Sequence, residues 1–229
     1  MKHPQHILAF DKRGFNFDGM EGLITMSPKT FFESAAACLF IGRREELEAD
    51  ERFGQVLPYI VLYQRHADRF EVFVYQRTKK VGEQRLAGLM SVGTGGHVDL
   101  FDVVAKDSVI DFIATMAGAI ARELNEEVGF IHNATNDALS FDQLRAAETE
   151  RPLFPTFAGM IKDDSNSVGR VHFGVVMAME IPAGYSPQCI EDELTTVGMV
   201  EPHAALAKGE GAFENWSKIV LENIGVILK

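Results

Sequence analysis

Arg122-Glu123-Leu124-Asn125-Glu126-Glu127-Val128-Gly129-Phe130 is the stretch that decides how this chain is read. On a helix, Glu123, Glu126 and Glu127 fall at i, i+3 and i+4, so their carboxylates share one face within reach of each other. Like charges so placed repel, and Arg122 can offset one of them. The acidic group also sits at the C-terminal end of the helix, where the macrodipole favours cations. A local cost of this kind asks for a compensating reason. Hard oxygen ligands gathered on a rigid element suit Mg2+ or Mn2+, with waters and substrate phosphate completing the octahedron.

Working outward, the spacing of Ile110, Ile113, Ala117, Ile120, Ala121, Leu124 and Val128 predicts a helix over 109–128 with one apolar face, stopped by Gly129 in the C′ position. Upstream, residues 91–98 form a glycine-punctuated strand or loop containing Gly95, Gly96 and His97. Residues 57–64 and 70–76 are rich in Val, Ile, Tyr and Phe and read as a β-hairpin. A second hairpin is predicted from 153–161 and 171–181 around the turn-rich stretch 162–169. Earlier, a Ser-Pro pair opens a predicted helix over 27–41, and the charged run 43–51 reads as a solvated helix or turn. A helical tail over 211–228 carries the single tryptophan, Trp216, as packing. Strands and helices alternate without a βαβ cadence, which favours an α/β (α+β) fold with a mixed sheet flanked by helices. Nothing in the composition marks a linker, so residues 1–229 are expected to form a single domain.

Hydrophobic residues at 46% and charged residues at 24% exclude a disordered or fibrous chain. The 22 basic against 33 acidic residues give 22 − 33 = −11, which argues against a nucleic-acid polymer bound through a broad basic face. A phosphate-bearing small molecule stays compatible with that charge, because a divalent cation inverts the sign of a local site. Cys38 and Cys189 have no metal-knuckle spacing and read as reduced thiols. No stretch approaches the roughly 18 apolar residues of a membrane span, so a cytoplasmic protein without a membrane partner is expected.

The opening string resembles the second half of the Nudix box, Gly-x5-Glu-x7-Arg-Glu-U-x-Glu-Glu-x-Gly-U, at every defined position if Phe130 is allowed as the last apolar residue. The resemblance covers roughly residues 55–225 as a Nudix core of α/β/α sandwich type, with residues 1–54 as an N-terminal extension packed on it. It implies a metal-dependent hydrolase of a diphosphate linkage in a nucleoside diphosphate derivative or related metabolite. Glu123, Glu126 and Glu127 would hold Mg2+ or Mn2+, and Arg122 would orient the helix by pairing with an acidic neighbour. Glu193, with Glu191 behind it, resembles the acidic loop residue that joins the metal site or activates water. A homodimer is compatible with the same resemblance.

The first half of the box departs from the pattern. Counting back from Arg122, the glutamate position holds Ala114 and the glycine position Ser108. Counting forward from Gly96 reaches Asp102, which requires an insertion between loop and helix and suggests a predicted-phosphoesterase branch. Asp102 and Asp111 are both candidates for the partner of Arg122. The missing glutamate supports an alternative, a non-catalytic nucleotide or ADP-ribose sensor on the same fold. For substrate phosphates, Arg77 and Lys79, with Lys80 and Arg85, supply paired donors and point charges. Gly95 and Gly96 would permit close backbone approach, and His97 could contact phosphate or metal, although a structural histidine is the simpler reading. His172 reads as a packed or surface residue, and Phe154, Phe157 and Phe173 read as core.

Overall fold

Aromatic and β-branched residues dominate the predicted hairpins, and both become long strands in the computed structural model, which describes residues 5–15, 20–78, 86–149, 152–209 and 211–229. In chain order the first elements are β1 (His6–Asp11), β2 (Gly22–Ile24), α1 (Pro28–Ala36), β3 (Leu39–Arg43), α2 (Arg44–Leu47) and β4 (Phe53–Arg65). Next come β5 (Phe70–Arg77), β6 (Met90–Ser91), β7 (Gly93–Thr94), β8 (Ala105–Lys106), β9 (Val109–Ile110) and α3 (Phe112–Glu127). They lead to β10 (Val128–His132), β11 (Ala138–Leu139), α4 (Phe141–Ala147), β12 (Thr156–Lys162) and β13 (His172–Glu180). The chain ends with β14 (Tyr185–Cys189), β15 (Leu194–Val200), α5 (Pro202–Leu206), α6 (Asn215–Glu222) and α7 (Ile224–Ile227). Strands pair in the order β15-β5-β4-β13-β12-β2, with β1, β3, β6 and β7 attached off this path. The result is the expected α+β fold.

Contacts gather into two compact units. The first comprises Met1–Tyr59, Gly96–Ile120 and Gly159–Val176, and the second Ile60–Gly95, Ala121–Ala158 and Met177–Lys229. β4, α3, β12 and β13 each contribute residues to both.

In the first unit, β1 runs antiparallel to both β3 and the start of β4. Phe10 meets Phe173 edge-on at 4.8 Å, and Phe31 lies 5.7 Å from Phe112, so Phe173 is core, as the sequence suggests. Ser27 caps α1 by accepting from the Thr30 amide at 3.1 Å. The helix predicted over 27–41 stops at Ala36, however, because Leu39, Phe40 and Ile41 are drawn into register with Phe10, Ala9 and Leu8. Strand pairing there overrides local helical pattern. The charged run does form a short helix, α2, whose single buried residue, Leu47, packs with Ile7 and Ala9. The 162–169 stretch is ordered by its own side chains: Asp163 accepts from the Ser165 amide, and Asn166 from the amides of Val168 and Gly169.

In the second unit, β5 lies between β15 and β4, both antiparallel, and four successive residues, Val72–Tyr75, are buried. β10 pairs on its two sides with β11 and β14. The tail is two helices rather than one, because the Asn223 backbone leaves the helical region (φ −109°, ψ 13°) while its side chain donates to the Ile219 carbonyl.

α3 is the element that matters most for function. Asp111 caps it, its Oδ1 accepting from the Ala114 amide at 3.0 Å. Phe112, Thr115, Met116, Ala119, Ile120, Glu123, Leu124 and Glu127 are its buried residues, an i, i+3, i+4 stripe running the whole helix. The predicted apolar face holds at Ile120, Leu124 and Val128, which are buried, but not at Ile113, which is exposed, or Ile110, which belongs to β9. Gly129 is a second correction. It caps nothing, since it lies inside β10 opposite Gln188, and an added Cβ would come 3.0 Å from the Ile190 side chain. Its tight neighbour is thus a side chain beside β14, and it lies within a strand instead of ending the helix.

Glycine chemistry offers a test of the packing. A Cβ at Gly169 would overlap the Asp163 carbonyl oxygen, whereas one at Gly225, in α7, meets nothing. Gly169→Ala is expected to cost about 1–3 kcal/mol, and Gly225→Ala to be neutral or to gain up to about 1 kcal/mol. Denaturant melts of the two variants check this; equal midpoints would show the turn to be loosely packed.

Candidate active site

The C-terminal turn of α3 carries the acidic cluster. Glu123 and Glu127 lie on the buried stripe, whereas Glu126 is exposed at the stripe's edge, so the three do not share one face equally. The helical spacing sets the carboxylates near one another, and the position of the buried stripe decides which of them are buried. Arg122 Nη1 donates to Glu123 Oε1 at 2.7 Å and to Glu126 Oε2 at 3.0 Å. One guanidinium therefore serves two carboxylates, one more than the sequence suggested. The two remote candidates for pairing with Arg122 have local duties: Asp111 caps α3, and Asp102 Oδ2 accepts from the Asp99 amide at 2.9 Å.

Glu127 receives a different neighbour. The Gly95 amide donates to its Oε2 at 3.1 Å, from a backbone with φ +140° that suits glycine. Burial pushes the Glu127 carboxyl up to about 8, the Glu123 and Glu191 charges push the same way, and Arg77 and the Gly95 amide oppose them. Glu191 reaches this cluster because β14 ends beside the helix end. The Ile190 amide donates to the Glu127 carbonyl at 3.0 Å, satisfying one of the orphan carbonyls of the last turn. Desolvation raises the Glu191 carboxyl, reinforced by the charges of Glu193 and Glu126. Of the two acidic-loop candidates, Glu191 acts directly on the Glu127 and Glu126 carboxylates, and Glu193 acts on Glu191.

Arg77 closes the cluster at the end of β5. Its Nε lies 3.9 Å from Glu214 Oε2, and its Nη2 is 3.4 Å from the Tyr75 hydroxyl. Glu214 in turn accepts from Ser91 Oγ at 2.6 Å and Ser217 Oγ at 3.2 Å. Sequence reading missed Glu214, Ser91 and Ser217; no motif spacing links residues so far apart. Lys79, Lys80 and Arg85 lie outside the described residues. Gly96 and His97 fall in the first unit, where His97 Nε2 is 2.9 Å from Gln55 Oε1 and 3.3 Å from His172 Nε2. His172, expected to be packed or at the surface, is buried. Cys189 is half-buried, its thiol pushed up to about 11 mainly by burial.

The donor set of the helix end is oxygen throughout: Glu123, Glu126, Glu127 and Glu191 are coupled, with Arg77 and Arg122 as the cations. Four carboxylates, two of them buried, against two guanidiniums fit a hard divalent cation such as Mg2+ or Mn2+. Among the described residues, no helix is long and apolar enough to cross a membrane.

No family model matches the chain. Protein YmaB of Bacillus subtilis strain 168 is 30% identical over 182 residues, covering 79% of this chain and 75% of that protein. The crystal structure of Tm1382, a proposed Nudix hydrolase, aligns with a TM-score of 0.67 and 25% identity over 98% of this chain and 100% of that one. The NUDIX domain of Shewanella oneidensis NrtR, crystallised with ADP ribose, aligns at TM-score 0.41 and 13% identity over 76% and 88%. With the Arg122–Gly129 string at the end of α3, the chain belongs to the Nudix superfamily. Membership supports a nucleoside diphosphate hydrolase in general, and Nudix hydrolases generally use divalent metals.

A carboxyl raised in the folded chain contributes stability that is present below its ordinary value of 4.5 and lost as pH rises through about 8. Glu127→Gln keeps an acceptor for the Gly95 amide and removes that charge. In chelator, the variant is expected to melt above the parent chain at pH 9, with the gap closing toward pH 5. A parent chain that melts higher at pH 9 would contradict the burial of Glu127.

Proposed function

We propose that this chain hydrolyses a diphosphate linkage in a nucleoside diphosphate derivative or related phosphorylated metabolite, with Mg2+ or Mn2+ as cofactor. The observation that carries the reading is the pairing of two buried carboxylates, Glu123 and Glu127, with exposed Glu126 and Glu191 beside them. Glu123, Glu126 and Glu127 would hold the cation, with Glu191 or Glu193 close behind. When bound, it would neutralise diphosphate oxygens and lower the pKa of a bound water.

The chain's own residues do the rest. Arg122 keeps Glu123 and Glu126 at fixed spacing, and the Gly95 amide holds one oxygen of Glu127. Arg77 and Lys79 offer cations to the phosphates. A carboxylate of the cluster, with Glu191 and Glu193 as candidates, accepts a proton from water as its oxygen bonds to phosphorus and the bridging P–O bond breaks. The second reading is a sensor that binds such a ligand without turnover. It is supported by Ala114 at the box glutamate position and by Asp111 serving as a cap. A homodimer belongs to either reading.

The test is phosphate or monophosphate release from a panel of nucleoside diphosphate derivatives with Mg2+, Mn2+ or chelator. Metal-dependent release is expected, and Glu126→Gln, exposed and safe for the fold, is expected to lower it by about 100-fold or more. Unchanged turnover in that variant would overturn the assignment. Tight binding without release across the panel would establish the sensor.

A further inference from the structure

Away from the acidic helix end, the first unit brings three metal-ligating side chains together from separate elements: Glu48 after α2, His97 after β7, and His172 at the start of β13. One ligand atom from each lies within 4.8 Å of the others. The two Nε2 atoms are 3.3 Å apart, and His172 Nε2 is 3.8 Å from Glu48 Oε1. For ligands bound tetrahedrally at the usual Zn–N and Zn–O lengths, the spacing between ligand atoms is about 3.3 Å. The imidazole pair already stands at that distance, and the carboxylate needs only a small adjustment.

Hydrogen bonding points the same way. His172 Nδ1 lies 2.8 Å from the Val168 carbonyl, which can only accept, so Nδ1 carries the proton. In the neutral ring, Nε2 then presents its lone pair toward His97 and Glu48. A ligating histidine whose second nitrogen is fixed by a backbone carbonyl is the usual outer arrangement of a metal site. The Val168 carbonyl is itself positioned by the Asn166 and Gly169 turn. Around the cluster, Gln55 Oε1 lies 2.9 Å from His97 Nε2, and Arg44 Nε donates to Glu48 Oε1 at 3.4 Å.

We propose that Glu48, His97 and His172 form a second metal site, selective for a borderline divalent cation of the Zn2+ class, with water in the remaining position. Two imidazoles and one carboxylate match that class rather than Mg2+ or Ca2+, which prefer oxygen throughout. The Glu48 side chain is 40% exposed, which leaves an entry path. Its present contact with Arg44, at 3.4 Å on the surface, is of a weak kind that a cation displaces.

Co2+ titration of the chelator-treated full chain, followed by visible absorption, tests the site. The wild-type chain is expected to take up one equivalent with the d–d bands of a low-coordinate site, and Zn2+ to displace it. His172→Asn and Glu48→Gln should each weaken uptake by about tenfold or more. Glu126→Gln should leave the bands unchanged, which separates this site from the acidic helix end. Absence of the bands in wild type, or bands unaltered in both variants, would overturn the proposal. Should circular dichroism show His172→Asn unfolded, the exposed Glu48→Gln decides: unchanged uptake overturns, and weakened uptake supports.

Discussion

Two carboxylates on the buried stripe of a helix constrain everything around them. An apolar residue at position 123 or 127 would continue the stripe from Phe112 to Leu124 without cost. Glutamates there instead have to be supported, and each support is visible. Arg122 neutralises Glu123 and Glu126 from the preceding position, and the Gly95 amide reaches Glu127. The Ile190 amide ties the end of β14 to the last turn of α3 and thereby sets Glu191 beside it. Arg77 lends its charge while anchored on Glu214, which is itself held by Ser91 and Ser217. These supports leave Glu127 with a carboxyl that burial and the neighbouring Glu123 and Glu191 charges push upward.

The Glu48, His97 and His172 group obeys the same logic with different chemistry. There the acceptors are nitrogen as well as oxygen, and the fixing group is the Val168 carbonyl rather than a backbone amide. Its rigidity depends on the 163–171 turn, where Asp163 and Asn166 satisfy local amides and Gly169 lets the chain pass against the Asp163 carbonyl. The two clusters thus differ as hard and borderline ligand sets do.

Much of this was legible in the sequence, for identifiable reasons. The Arg122–Gly129 string carries its own spacing, so the carboxylate cluster is readable from eight consecutive residues. Both long hairpins were readable because β-branched and aromatic residues concentrate in them. What failed depended on tertiary context. The apolar pattern of α3 locates Ile120, Leu124 and Val128 in the core but not Ile113, because the continuous stripe through Phe112, Met116 and Ala119 includes two glutamates, which pattern reading excludes from a buried face. Gly129 has the position of a helix stop, but its close neighbour is the Ile190 side chain just past β14. Residues 39–41 read as helix in the sequence because their strand pairing with β1 is a distant partner's effect. Neither Glu214 beneath Arg77 nor His172 beside His97 follows any local spacing.

The claim at the centre is that the end of α3 holds a divalent cation through its buried carboxylates. Mn2+ binding, read by electron paramagnetic resonance on the chelator-treated chain, addresses it directly. The account predicts that the parent chain quenches the free Mn2+ signal, and that a folded Glu123→Gln/Glu127→Gln double variant leaves it unquenched. Equal Mn2+ uptake by the two proteins would contradict it.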